Sequence, residues 1–374
     1  MILAFSLLAG CIFISSNAIA AWTQAKGHSY NQLTLSYYST AEKFTTIEKF
    51  EEEKVLQPSG SELTVHEEGD IRRTDAKPFR NKEESFTATK MSYYVEYGLL
   101  DELTFILSGG YEYVKSNDLR TQGNSCQLHK LTGDDVCTAG VGDIILGLRQ
   151  KISNNVAGGP LSVQLDVKVP EAYEYDNPVI NQNLGDGQYD ALLKLKYGHG
   201  FSWGYAVLDA GYKYRFENTQ LDPLTFKPAD TVIVSISGGY NATPWLSIRG
   251  KIDWDKSVGN AEVSDDLVKF ASDTIVTKPA GERGKNVVIL DTLGLKKDSL
   301  TAGLALAFTV AKNMQLVASY DWALGHSCTD DGGFLNTGAL KNTCFFFKNE
   351  DMGPLRASNS SIGSTVSLAL AYSH

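Results

Sequence analysis

Beyond residue 20 the chain repeats one pattern: an alternating apolar–polar stretch of about ten residues, a short turn, a second such stretch, then a long polar segment. Alternation at period two puts each set of side chains on its own face of a strand. The first stretch, Tyr30 to Tyr38, gathers Leu33, Leu35 and Tyr37. The second, Thr87 to Tyr97, gathers Met91, Tyr93, Val95 and Tyr97, and Gly98 to Asp101 turns the chain. The third carries Leu103, Phe105, Leu107, Gly109, Tyr111 and Tyr113, and the fourth Ile144, Leu146 and Leu148. Leu161 to Val169 and Ala191 to Tyr197 supply the fifth and sixth, Ala206 to Phe216 the seventh, Val232 to Tyr240 the eighth and Leu246 to Trp254 the ninth. The tenth is Leu300 to Val310, the eleventh Leu316 to Trp322, and the twelfth Ser364 to Tyr372. The pattern predicts an all-β chain: a transmembrane antiparallel β-barrel of about twelve strands in one domain, residues 21–374, with no linker.

The long segments, residues 39–86, 115–140, 170–188, 217–230, 255–298 and 323–361, are expected to be extracellular, and the short turns and both termini periplasmic. Tyr97, Tyr197, Tyr240, Phe308 and Tyr372 fall at the short-turn ends of strands. Tyr37, Tyr111, Tyr113, Tyr214, Phe216, Trp254, Tyr320 and Trp322 fall at the other ends. Amphipathic rings prefer the two membrane interfaces, and a soluble β-sandwich gives no reason for this sorting. A mean hydropathy of -0.18 is compatible with such a barrel, because the lipid and lumen faces average out.

Residues 1–20 read as a signal peptide. Ile2 to Ile14 is apolar, and Ala18-Ile19-Ala20 is an A-x-A-like cleavage site before Ala21. Leu8-Ala9-Gly10-Cys11 is a competing lipoprotein box with a short apolar core. Location in a Gram-negative outer membrane follows from the leader and the barrel together.

Parity then fixes the interior set: Lys90, Glu96, Glu112, Asp143, Arg149, Lys151, Asp166, Lys168, Asp190, Lys194, Lys196, Asp209, Lys213, Arg215, Arg249, Lys251, Asp253 and Asp255. Such charges cannot face hydrocarbon, where one Arg or Lys costs ~2–4 kcal/mol at midplane. Strands ten to twelve instead turn Gly303, Ala305, Ala307, Gly363, Ala369 and Ala371 inward. The lopsided lining fits either a water-filled pore with room on the small side or a salt-bridged plug.

A net charge of -10 argues against nucleic acid as partner. Cys126 with Cys137, and Cys328 with Cys344, are expected as two disulfides, each local to one loop of an exported chain. The first long segment mixes Glu51, Glu52, Glu53, Glu67, Glu68 and Asp70 with Lys49, Lys54, Arg72 and Arg73. That reads as a solvated loop or as a contact for divalent ions or lipopolysaccharide. His326 near Asp321, Asp265-Asp266, and Asp330-Asp331-Gly332-Gly333 do not make a catalytic or calcium constellation, and Gly281 to Lys285 is not a phosphate loop. No enzyme activity, cofactor or metal is expected. The expected partners are outer-membrane lipid and lipopolysaccharide, the barrel-assembly machinery and a small solute, with the barrel a monomer.

Ala21-Trp22-Thr23-Gln24 with Lys26-Gly27, the turn Tyr97-Gly98-Leu99-Leu100-Asp101-Glu102-Leu103-Thr104, and Gly140-Val141-Gly142-Asp143-Ile144 through Arg149 together resemble the XagA-type outer-membrane proteins. Lys168-Val169-Pro170 resembles the end of their next strand. These proteins share motifs with barrels of the MetA-pathway phenol-degradation type, and that resemblance implies uptake of small hydrophobic compounds. The alternatives are a surface-exposed barrel with a closed lumen, acting in adhesion or binding, and an outer-membrane hydrolase.

Overall fold

The alternating stretches form twelve long strands that hydrogen-bond in sequence order and close on themselves. The computed structural model describes residues 21–46, 53–56, 62–65, 78–81, 85–117, 136–175, 183–259, 261–264, 266–267, 299–325 and 360–374. The expected leader, residues 1–20, lies outside them. The strands are β1 (Ser29–Thr46), β2 (Ser85–Leu100), β3 (Leu103–Asn117), β4 (Ile144–Val156), β5 (Gly159–Val169) and β6 (Asp190–Phe201). They continue as β7 (Gly204–Arg215), β8 (Asp230–Thr243), β9 (Leu246–Val258), β10 (Ser299–Ala311), β11 (Met314–Gly325) and β12 (Ser360–Ser373). β12 pairs antiparallel with β1 from Tyr30↔Ser373 to Phe44↔Ser360, and this seam removes the last free edge. Two short strands, Pro78–Asn81 on β1 and Val136–Val141 on β3, bring the sheet to fourteen.

Burial is inside out. Leu33, Leu35, Met91, Leu193, Ile236, Leu304 and Val366 are about half exposed on the outer wall, while the interior face hides charge. A lipid solvent rewards this arrangement, because the wall's backbone groups are all paired between strands. Tyr97, Tyr240 and Tyr372 lie exposed at the short-turn rim, and Tyr37, Tyr111, Tyr113, Tyr214, Phe216 and Tyr320 at the other.

The long segments hold more structure than their polarity suggests. β1 runs on to Thr46 and β2 begins at Ser85, inside the expected first loop. Within that loop Glu53–Leu56 pairs with Glu62–Val65. A wall extended past the bilayer is solvated on both faces, so its side chains need not alternate in polarity and leave no signature.

Candidate functional site

The interior is built in two unlike parts. The first is a packed charge lattice on β2 to β7. At its short-turn end Arg149 of β4 is enclosed: Nη2 donates to Glu96 Oε1 of β2 at 2.7 Å, Nε to Gln164 Oε1 of β5 at 2.8 Å, and Nη1 to the backbone oxygen of Trp22 at 2.9 Å. Glu96 Oε2 accepts from Gln24 Nε2 at 2.9 Å, and Thr104 Oγ1 accepts from the Gln24 backbone at 2.8 Å. The N-terminal segment before β1 is therefore inside the barrel, tied to the wall. Trp22 lies over Gly198 of β6, where a Cβ would stand 2.7 Å from the indole. Only a residue without a side chain lets the ring seat there.

The lattice continues along β5 and β6. Asp166 accepts from Lys194 at 2.6 Å and from Gln164, and Lys196 pairs with Asp209 of β7. At the long-loop end Lys168 reaches Asp190 at 3.0 Å, Asp186 at 3.2 Å and Asp143 at 3.4 Å, while Arg215 reaches Asp186 at 3.0 Å and Asp190 at 3.4 Å. Residues 170–175 and 183–189 pack at this cluster. Tyr173 donates to Asp143 at 2.7 Å and accepts from the Gly187 backbone at 2.9 Å, and buried Asn218 donates to the Asp186 carbonyl. Burial and the Asp143 carboxylate push the Tyr173 phenol well above its ordinary range, and burial does the same to Tyr175.

The second part, on β9 to β12 with β1 and β2, is more accessible around its middle, although Tyr30, Ala307, Ala369 and Ala371 towards the short-turn end are buried. Lys251 is 44% exposed, although its parity puts it inside; it reaches Asp321 of β11 at 3.1 Å and Asp253 at 3.5 Å. Lys90 is 38% exposed and lies 3.6 Å from Glu112. The register Lys251↔Gly303↔Asp321 shows how the first of these pairs forms. A Cβ on Gly303 would stand 2.7 Å from Lys251 Cε and overlap the Asp321 carboxylate. The bridge crosses β10 over the bare glycine backbone. Beside it run small side chains: Ala305, Ser319, Ser367 and Ser36 are successive cross-strand partners from β10 to β1.

Eighteen residues followed from parity as the interior set. Most are brought together in pairs; the set lacks Asp186, which sits in a loop, and Asp321, whose position between the outward Tyr320 and Trp322 gives it the same inward parity. Lys151 lies at the short-turn rim, where its amine donates to the Asp101 carbonyl at 3.3 Å. There Trp22, Thr23, Ala25, Asp101, Lys151, Asn154 and Pro160 line a cavity of about 370 Å³. Lys213 and Arg249 have no carboxylate within salt-bridge reach among the described residues. Asp255 is engaged.

Cys137 lies on the short strand Val136–Val141, its Sγ 3.1 Å from the Tyr113 hydroxyl. Cys126, Cys328 and Cys344 lie outside the described residues, as do His326, Asp265, Asp330, Asp331 and Gly281 to Lys285. The side chains of the first loop's charged residues lie outside them too. Among the described residues no group of three or more His, Cys, Asp or Glu could hold a metal.

No protein-family model matches the chain, and no curated protein matches it in sequence. Its fold is similar to that of the COG4313 outer membrane channel from Pseudomonas putida F1, at 12% identity and a TM-score of 0.55, over 95% of this chain and 98% of that one. Weaker likenesses include the translocator domain of the autotransporter NalP from Neisseria meningitidis, with 8% identity and a TM-score of 0.41 over 93% of this chain and 89% of that one. The toluene transporter TodX of P. putida has 11% identity and a TM-score of 0.36 over 92% and 89%. Those two add nothing to the assignment. The first, with the closed strand order, gives this chain the fold of an outer-membrane β-barrel.

Proposed function

We propose that the barrel is a passive channel for small solutes, with small hydrophobic compounds as the class it favours. The carrying observation is the unequal interior: Glu96, Arg149, Asp166, Asp190 and Lys196 are buried, whereas Lys251 and Lys90 are 44% and 38% exposed, beside a wall of small residues that is buried only towards its short-turn end, at Ala307, Ala369 and Ala371. A solute path along the small-residue side needs no rupture of the lattice. The COG4313 protein is described as a channel, and the phenol-pathway resemblance supplies the solute class. Membership of the XagA-type proteins belongs to the same reading, with the sequence motifs as its support.

In this reading the long loops are extracellular, the termini periplasmic, and the barrel a monomer in lipid and lipopolysaccharide, placed there by the assembly machinery. It has no catalytic role. The Trp22–Gln24 segment inside the lumen favours a second reading, a closed barrel that acts in adhesion or binding through its loops.

Planar-bilayer recording of the refolded barrel, with liposome uptake of phenol and toluene, separates the two. Discrete openings that scale with salt, and faster uptake than in empty liposomes, are expected. Folded protein that gives neither would establish the closed barrel.

A further inference from the structure

Seven interior cations have a carboxylate at 3.6 Å or less: Lys90, Arg149, Lys168, Lys194, Lys196, Arg215 and Lys251. Arg249 on β9 does not. Its one side-chain hydrogen bond is from Nη2 to Gln315 Oε1 of β11 at 2.6 Å. Its Nε is enclosed and has no partner, the only cationic atom among the described residues in that state. A guanidinium offers five N–H donors in a rigid fork, and a buried donor left unmatched is costly. Lys213, near the long-loop end of β7, is another interior wall cation without a salt bridge among the described residues.

The residues beside Arg249 are small or aromatic. Its cross-strand partners are Gly239 and Ala305, and the next position is Ser319. The Tyr30 and Tyr205 phenols are near enough to interact with its charge, and Tyr30 packs on Ala371. Gln315 fixes the plane of the fork without neutralising it. A carboxylate fits the fork in bidentate fashion, and a compact apolar body fits the Ala and Tyr surroundings.

We infer that Arg249 is a lumenal binding site for the carboxylate of a small, largely apolar solute. The inference deepens the channel reading and rests on solutes entering the lumen. It makes the favoured cargo amphiphilic organic acids alongside neutral compounds.

Calorimetric titration of benzoate into the refolded, detergent-held barrel in chloride-free buffer tests it. Saturable binding is expected, weakened at least tenfold by R249Q and to a lesser degree by R249K, which keeps the charge and loses the fork. A305E, which puts a carboxylate directly across from Arg249, should abolish binding while Arg249 remains. Each variant is first checked for folding by heat-dependent electrophoretic mobility and circular dichroism. Benzyl alcohol should not compete. Benzoate binding unchanged in R249Q and A305E would overturn the site, and so would chloride binding as well as benzoate, which would mark a simple anion hole. Uptake of toluene is read separately: uptake without benzoate binding sinks the site alone, and binding without uptake sinks the channel reading alone.

Discussion

Arg149 and Glu96, 1% and 0% exposed, are an ion pair that also holds the chain's own N-terminal segment: one donates to Trp22 and the other accepts from Gln24. Removing one partner leaves an unmatched enclosed charge, which costs about 3–5 kcal/mol. E96A should therefore lower stability by that order in urea titrations of the liposome-inserted barrel. Removal of residues 21–26 takes away the tethered segment and leaves the ion pair itself in place. That deletion should raise single-channel conductance with a smaller loss of stability. Equal conductance with and without the segment would mean that it does not obstruct the path.

The folded segment over the long-loop end carries its own pH dependence. Tyr173 donates its phenol proton to Asp143, and its pKa is raised above that of a free tyrosine, about 10. A raised pKa means that folding favours the protonated form. The stabilisation is fully present below about pH 10 and is lost as pH climbs through the higher folded value. Limited proteolysis between residues 170 and 189 should accelerate above about pH 10 in the wild type. In Y173F cleavage should be faster at neutral pH, and the alkaline step attributable to this phenol should be absent. An identical step in Y173F would assign it to another group.

How much of this was legible in the sequence depends on whether a residue's role is local. Leu33, Leu35 and Tyr37 announce a wall strand because period two is written in the residues themselves, and parity then places Arg149 or Asp190 inside. The N-terminal segment was not legible: Trp22 to Gln24 have no period, and their partners lie on β2, β3 and β4, those on β3 and β4 through the segment's backbone atoms. Gly303 read as empty space, yet it is the bed on which Lys251 meets Asp321, because a register across three strands is invisible in one strand's pattern. The charge inventory likewise suggested either a pore or a plug for the whole lumen, whereas burial is uneven: Arg149 and Lys196 are buried among their partners and Lys251 is 44% exposed.

The cysteines allow a covalent test. We expect Cys126–Cys137 and Cys328–Cys344 as disulfides, and Cys137 stands at the root of its loop, on a strand paired with β3. Non-reducing peptide mapping should recover those two linked pairs. Reduction should cost about 2–4 kcal/mol per bridge in the chain-entropy model. Linkage between the loops would refute the local pairing.

Charge reversal should have opposite consequences on the two walls. Lys194 is 19% exposed with Asp166 at 2.6 Å, so K194E sets two carboxylates together in a mostly buried site and should destabilise the barrel without moving ion selectivity. Lys251 is 44% exposed beside Asp253 and Asp321, so K251E should be tolerated, because water solvates the added charge. The change there replaces a cation with an anion along the open side, and the reversal potential in a salt gradient should shift toward cation preference. Screening sets the size of that shift, which should shrink as the salt is raised from about 0.1 M to 1 M, where the Debye length falls from about 10 Å to 3 Å. A selectivity change in folded K194E with none in K251E would place the conducting path along the lattice and overturn the assignment of the open wall.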